Sequence, residues 1–293
     1  MSAPWLIVGT VPDDGFGLVQ GACVWDAGKP LEDRLVVDGI AVPVRRGTPA
    51  LIAAACAACA AMDIPAPLTL LAGDAGRGHG SAAAYLRLKE NLPDLRPRGL
   101  TFHYLFPDMA GHDMVLLTAL ELAERPVLVA DAGFMYAAKM SGQAREYDLF
   151  TPDAGELAFL ADELAPHPFY TRGFLLGPQA DTRKLIRRAW EAGDAAKHLL
   201  VKGSSDYVVR KGEILAEIHG PRTPAMEAIG GTGDTLTGMA TALLMSGREV
   251  PEACRIAAMA NRLLGQLAQP TPATPVAGLI PHIAEALRLA QRS

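Results

Sequence analysis

Apolar runs of strand length alternate with helix-length stretches through most of the chain, and that rhythm restricts the fold more than any other feature. Strand-like runs occupy residues 6–8, 68–72, 100–105, 127–130, 147–150 and 198–201; helical patterns fill 48–62, 81–91, 114–123 and 155–164. Strand-then-helix alternation predicts an α/β fold, with a mostly parallel sheet covered by helices on both faces. After Lys202 the rhythm changes. Tyr207-Val208-Val209-Arg210 and Glu213-Ile214-Leu215-Ala216-Glu217-Ile218 flank Lys211-Gly212, which reads as a hairpin. Residues 234–245, 252–266 and 280–288 are then helical, with a proline-stiffened loop over 269–275. No repeat or long linker divides the 293 residues, so a single domain over 1–293 is expected.

Half of the residues are hydrophobic and only 6% aromatic, which suits small-residue helices packed on a sheet. A net charge of -5 argues against a general nucleic-acid binder, because no basic face compensates it. Arg183, Lys184, Arg187 and Arg188 alternate with Leu185, Ile186 and Trp190, the pattern of a solvated amphipathic helix. Cys56 and Cys59 form a C-x-x-C inside an alanine-rich helix, where they read as small packing residues; no metal site is expected. The start of the chain has no basic region before its apolar run, so it reads as a strand and not a signal peptide. The alanine-rich stretch is shorter than the roughly 20 residues that cross a bilayer. A cytoplasmic protein with no membrane partner is the expectation.

Chemistry concentrates in Gly230-Gly231-Thr232-Gly233-Asp234-Thr235-Leu236-Thr237-Gly238-Met239. Glycines let backbone N–H groups converge, and the helix that follows adds its positive end, so the turn suits a phosphate. Asp234 at the helix start can take a proton from a hydroxyl beside that phosphate; the simpler alternative is an aspartate cap. Asp131 follows the strand Val127-Leu128-Val129-Ala130, at the carboxyl end where open α/β sheets bind ligands. Glu156 falls in the first helical turn after Thr151-Pro152, where capping from Asp153 is a serious rival to substrate binding. Lys202-Gly203 ends a strand with a cation and a flexible turn. The loop Gly73-Asp74-Ala75-Gly76-Arg77-Gly78-His79-Gly80-Ser81 reads as a second phosphate cradle through Gly76, Gly78 and Gly80, or as a plain flexible turn. His103 and His112 have no ligand partners at meaningful spacing and read as structural.

The Gly231-Thr232-Gly233-Asp234 turn and its small-residue helix resemble the signature of the ribokinase-like superfamily. The longer string is similar to one branch, the ADP/ATP-dependent NAD(P)H-hydrate dehydratases. Three further stretches resemble that branch in the same order: Val129-Ala130-Asp131-Ala132, Phe150-Thr151-Pro152-Asp153-Ala154-Gly155-Glu156-Leu157 and Leu199-Leu200-Val201-Lys202-Gly203. The resemblance implies a three-layer αβα sandwich and an enzyme using ATP or ADP with Mg2+. It implies a small-molecule substrate, hydrated NADH or NADPH, whose hydroxyl is phosphorylated and whose phosphate is then eliminated. Asp234 would be the base, and the amides of Gly231, Thr232 and Gly233 the anion hole. Gly230, Lys202 and Gly203 would face the nucleotide, and Asp131, Asp153 and Glu156 the substrate. A homo-oligomer fits the same resemblance. Two departures stand out: Asp153 replaces the branch's His, and the N-terminal third lacks its Gly-rich segment with Tyr-Thr-Gly-Ala-Pro. A kinase phosphorylating a sugar or vitamin hydroxyl, or a non-catalytic nucleotide sensor, are the alternatives.

Overall fold

The computed structural model describes residues 3–176 and 181–292. Its strands are β1 (Trp5–Val11), β2 (Leu18–Trp25), β3 (Leu35–Val37), β4 (Ile40–Val42), β5 (Leu68–Gly73) and β6 (Gly99–His103). They continue with β7 (Val127–Ala130), β8 (Leu149–Phe150), β9 (His198–Val201), β10 (Asp206–Arg210) and β11 (Glu213–Ile218). The helices are α1 (Thr48–Ala61), α2 (His79–Leu95), α3 (Met109–Leu120), α4 (Gly133–Met140), α5 (Ala154–Leu160) and α6 (Gly173–Leu176). Then follow α7 (Thr182–Ala192), α8 (Ala225–Ala228), α9 (Thr232–Met245), α10 (Val250–Ala268) and α11 (Ile283–Ala290).

All eleven strands join one sheet in the order β11-β10-β9-β8-β7-β6-β1-β5-β2-β3-β4. From β9 to β5 the pairing is parallel, and both flanks are antiparallel. Successive strand residues face opposite sides, so both faces need cover. Trp5 and Ile7 of β1 enter one core with α1, α9, α10 and α11, while Leu6 and Val8 enter the other with α2, α3, α4, α5 and α7. The architecture is therefore αβα.

Small residues bring α1 and α9 together. A Cβ on Gly238 would stand 2.2 Å from the Leu51 carbonyl, so only glycine allows that approach. Cys56 and Cys59 lie buried in the same layer, Cys56 against Cys23 of β2 and Cys59 against Met245.

Most elements match their sequence pattern, and the differences have local causes. α3 begins at Met109, ahead of the expected start, because the Asp108 carboxylate caps the amides of Ala110 and Gly111. The strand expected over 147–150 shortens to Leu149–Phe150, since Ala144–Glu146 forms a 3-10 turn just before it. β2, β3 and β4 have no counterpart in the sequence pattern; β3 and β4 are three residues each, too short for alternation to register. The hairpin turn is as expected, with Lys211 and Gly212 both at positive φ. Among the described residues no helix is long and apolar enough to cross a membrane.

Candidate functional site

The carboxyl ends of β6, β7 and β9 deliver His103, Asp131 and Lys202 to one cleft of about 670 Å³, which the start of α9 also lines. Parallel strands end there without continuing ladder partners, which is why such sheets bind ligands at this edge. The turn before α9 holds Gly231 at φ 105, a conformation that L side chains rarely adopt. The first amides of a helix have no acceptor inside it, so those of Thr232, Gly233 and Asp234 remain for an anion. Asn261 of α10 braces the turn, donating to the Thr232 carbonyl at 3.1 Å and accepting from the Thr235 hydroxyl at 2.8 Å.

Asp234 sits at the inner edge of this turn, 9% exposed. Its Oδ2 accepts the Gly47 N–H at 2.6 Å, and its Oδ1 lies 3.1 Å from His103 Nε2. Burial by itself would raise this carboxyl. The His103 hydrogen bond, Lys202 and the Gly47 amide outweigh that and hold it below the ordinary carboxylate range.

Asp131 is buried and heavily engaged. Lys202 Nζ meets both its oxygens at 3.0 Å, and the Thr237 hydroxyl lies 2.6 Å from Oδ2. Burial alone would lower the Lys202 ammonium, but Asp131 and Glu156 hold its proton above the ordinary lysine range. A Cβ on Gly233 would lie 3.6 Å from Lys202 Nζ, so the cation stands directly beside the glycine turn. Gly203 donates to Asp206 at 3.1 Å, and Arg262 holds the other Asp206 oxygen at 2.8 Å, which fixes the Lys202-Gly203 bend.

Asp153 and Glu156 line the cleft and also form a full capping box for α5, with both reciprocal hydrogen bonds at 2.8 Å. The capping reading of this pair therefore holds. Burial pushes the Glu156 carboxyl up to about 8, with Asp131 and Asp153 adding to the rise and Lys202 opposing it. A raised carboxyl keeps its proton when the unfolded chain has lost it, so stability falls as pH rises between the ordinary value of 4.5 and about 8. Glu156→Gln keeps a cap acceptor but cannot ionise. Its thermal midpoint relative to wild type is expected to climb across that window, by the equivalent of a few kcal/mol; a pH-independent difference in calorimetry would contradict it.

Two expectations change. Gly76, Gly78 and Gly80 are not brought to the cleft. The cradle is real but filled from within: Asp74 accepts the amides of Gly76, Arg77 and Gly78 through one oxygen and Ser81 through the other. An external phosphate would meet that carboxylate. Gly80 serves packing, since a Cβ there would stand 2.0 Å from the Gly73 carbonyl. Gly230 likewise falls outside the cleft lining and rests against Arg46.

His103 is the residue that sequence reasoning missed. It is fully buried at the end of β6 and touches Asp234, whereas His112 packs in the helical layer on Tyr147, 2.9 Å from its hydroxyl. The ligand-type atoms of His103, Asp131 and Asp234 lie within 4.8 Å of one another. The Lys202 ammonium already supplies positive charge at that point, so these three are not assigned as a metal centre. Tyr104 and Ala132, both non-glycine residues at φ 51, line the same cleft. Backbone strain of this kind gathers at functional sites.

Sheet order and the helices on its two faces define a fold of the ribokinase-like class. The fold aligns with a ribokinase-like superfamily protein of Enterococcus faecalis at a TM-score of 0.59 and 15% identity, covering 98% of this chain and 87% of that one. A family model described as NAD(P)H-hydrate dehydratase matches residues 110–290, and the chain belongs to that family. It is 40% identical over 216 residues to an uncharacterized protein of Methanocaldococcus jannaschii, covering 73% of this chain and 88% of that protein. It is also 32% identical over 139 residues to the ADP-dependent (S)-NAD(P)H-hydrate dehydratase of Cenarchaeum symbiosum, covering 47% of this chain and 43% of that protein.

Proposed function

We propose that this chain, acting as one domain, restores hydrated NADH or NADPH in a reaction driven by ADP or ATP. The observation that carries the reading is Asp234, a buried carboxylate held below the ordinary carboxylate range in the first turn of α9. In the proposed sequence, the terminal phosphoryl group of the nucleotide moves to the hydroxyl of the hydrate as Asp234 accepts the hydroxyl proton. The C–O bond then breaks, inorganic phosphate leaves, the neighbouring ring carbon gives up its proton to solvent, and the ring double bond re-forms. Amides of Gly231, Thr232 and Gly233 would hold the charge on the moving phosphoryl group. Phosphoryl transfer through a loose transition state releases the hydroxyl proton late, so a carboxylate is basic enough.

Lys202 and Gly203 are assigned to the nucleotide side, and Asp131 and Glu156 to the substrate side. Tyr104, half-exposed over Gly47, offers a flat face for a planar ring beside the base. The carboxylates at the cleft floor are all engaged by protein groups: Asp131 by Lys202, Asp234 by His103 and Gly47, Asp206 by Arg262. That donor set does not make a dedicated Mg2+ site. Mg2+ enters the reading as the counter-ion of the nucleotide phosphates, and no step is routed through it.

The test is to mix the protein with NADH hydrate and ADP or ATP and follow the near-ultraviolet absorbance of restored NADH. Restoration with stoichiometric release of inorganic phosphate is the expected result. No restoration at high enzyme concentration overturns it, and a stable phosphate ester formed from another hydroxyl compound would establish a kinase instead.

A further inference from the structure

The Asp234 base has an imidazole behind it that the reaction, as written, does not use. His103 ends β6, pairs with Gly9 of β1, and is wholly buried. Gly9 is there to admit it: a Cβ would lie 2.4 Å from both the His103 carbonyl and the Thr48 hydroxyl. Tyr104 closes the remaining side, its ring edge-on at a centroid distance of 4.4 Å. One ring nitrogen faces Asp234 Oδ1 at 3.1 Å, and the other faces the Thr48 hydroxyl at 3.0 Å.

We propose that His103 is a positioning residue for Asp234, locked as the Nε2–H tautomer by a hydrogen bond from Thr48 to Nδ1. An ionised carboxylate has no hydrogen to give, so at 3.1 Å the nitrogen must donate. With a single proton on the ring Nδ1 is bare, and Thr48, the first residue of α1, has its hydroxyl closer to that nitrogen at 3.0 Å than to the His103 carbonyl at 3.4 Å. The carboxylate is thus clamped by two donors on different elements, Gly47 ahead of α1 and His103 on β6. The other charged or titratable groups facing the pair are Asp131, with Oδ2 at 3.9 Å from Nε2, Lys202 on Asp131, and Glu156 and Tyr104 at the cleft wall. None of these donates to Asp234 in place of His103.

This inference rests on Asp234 being the base, and its test separates the two. In the full-length protein at neutral pH, imidazole 15N spectra are expected to show a protonated Nε2 and a bare Nδ1 for His103, assigned by the signal lost in His103→Gln. Thr48→Val should erode that preference. These readouts need no substrate, so they stand whether or not NADH is restored. A protonated Nδ1, whether Nε2 is bare or protonated as well, overturns the proposal. In activity profiles, His103→Leu is expected to move the acid limb of kcat/KM upward by about one pH unit or more, because a buried carboxylate loses a donor. Nucleotide affinity should change little, and His103→Gln, whose amide can still donate, should bring the limb back. An unmoved limb with a uniform loss of rate would mean that His103 only fills space.

Discussion

Asp234→Asn is expected to lower turnover by about 100-fold or more, because positioned general bases contribute roughly that much or more. Nucleotide affinity should hold or improve, since the substitution removes a negative charge beside the anion turn. That split, measured as kcat against nucleotide dissociation constant, separates a base from a residue that merely shapes the turn. Asparagine offers one acceptor where the carboxylate has two. The Gly47 N–H and His103 Nε2 now meet separate oxygens, so one of the donors would face an NH2 group. An orphaned buried donor costs about 1–3 kcal/mol, so the variant should also unfold at lower denaturant. Equal turnover in variant and wild type would remove Asp234 from the chemistry altogether.

Lys202→Met is expected to destabilise the fold by about 3–5 kcal/mol, the usual cost of leaving one member of a buried ion pair alone. Asp131 is 1% exposed, and the lysine side chain 14%. Two other contacts of Asp131, from Thr237 and its own neighbour Ala132, are hydrogen bonds without formal charge. Because the lysine pKa is raised, its contribution is present below the ordinary lysine value and lost only in strong alkali. The penalty should therefore be flat across the neutral range. Denaturant unfolding at several pH values checks both the size and the flatness. Loss of the cation beside Gly233 should weaken nucleotide binding in the same variant.

Much of this was legible because the relevant signals are local. The run Gly230–Asp234 announces its own turn, Val127–Ala130 its own strand end, and Lys211-Gly212 its own hairpin. His103 announces nothing. Its partner Asp234 lies 131 residues away, and a lone histidine at a strand end carries no pattern. The one trace was Gly9 inside an otherwise bulky strand, whose meaning needs the neighbouring β6 to be in place. The Gly76, Gly78 and Gly80 loop shows the opposite error. Its glycines do converge amides, but the anion they converge on is Asp74, two residues ahead of the first, which nothing in the glycine spacing distinguishes from an external ligand. The N-terminal strands β2–β4 were hidden by length and by Gln20-Gly21-Ala22, which dilute any alternation.

The position of β1 carries a consequence for biosynthesis. β1 leaves the ribosome ahead of both of its partners, since this interior strand of the finished sheet pairs with β5 and β6. The nascent chain must carry Trp5–Val11 unpaired until residues 68–73 and then 99–103 have emerged. Pairings of that kind close large loops before they gain contacts, and they form slowly. An apolar strand with both edges open is meanwhile a template for association. Chaperone demand should therefore peak between the emergence of β1 and that of β6, well before the segment bearing Asp234 has been made.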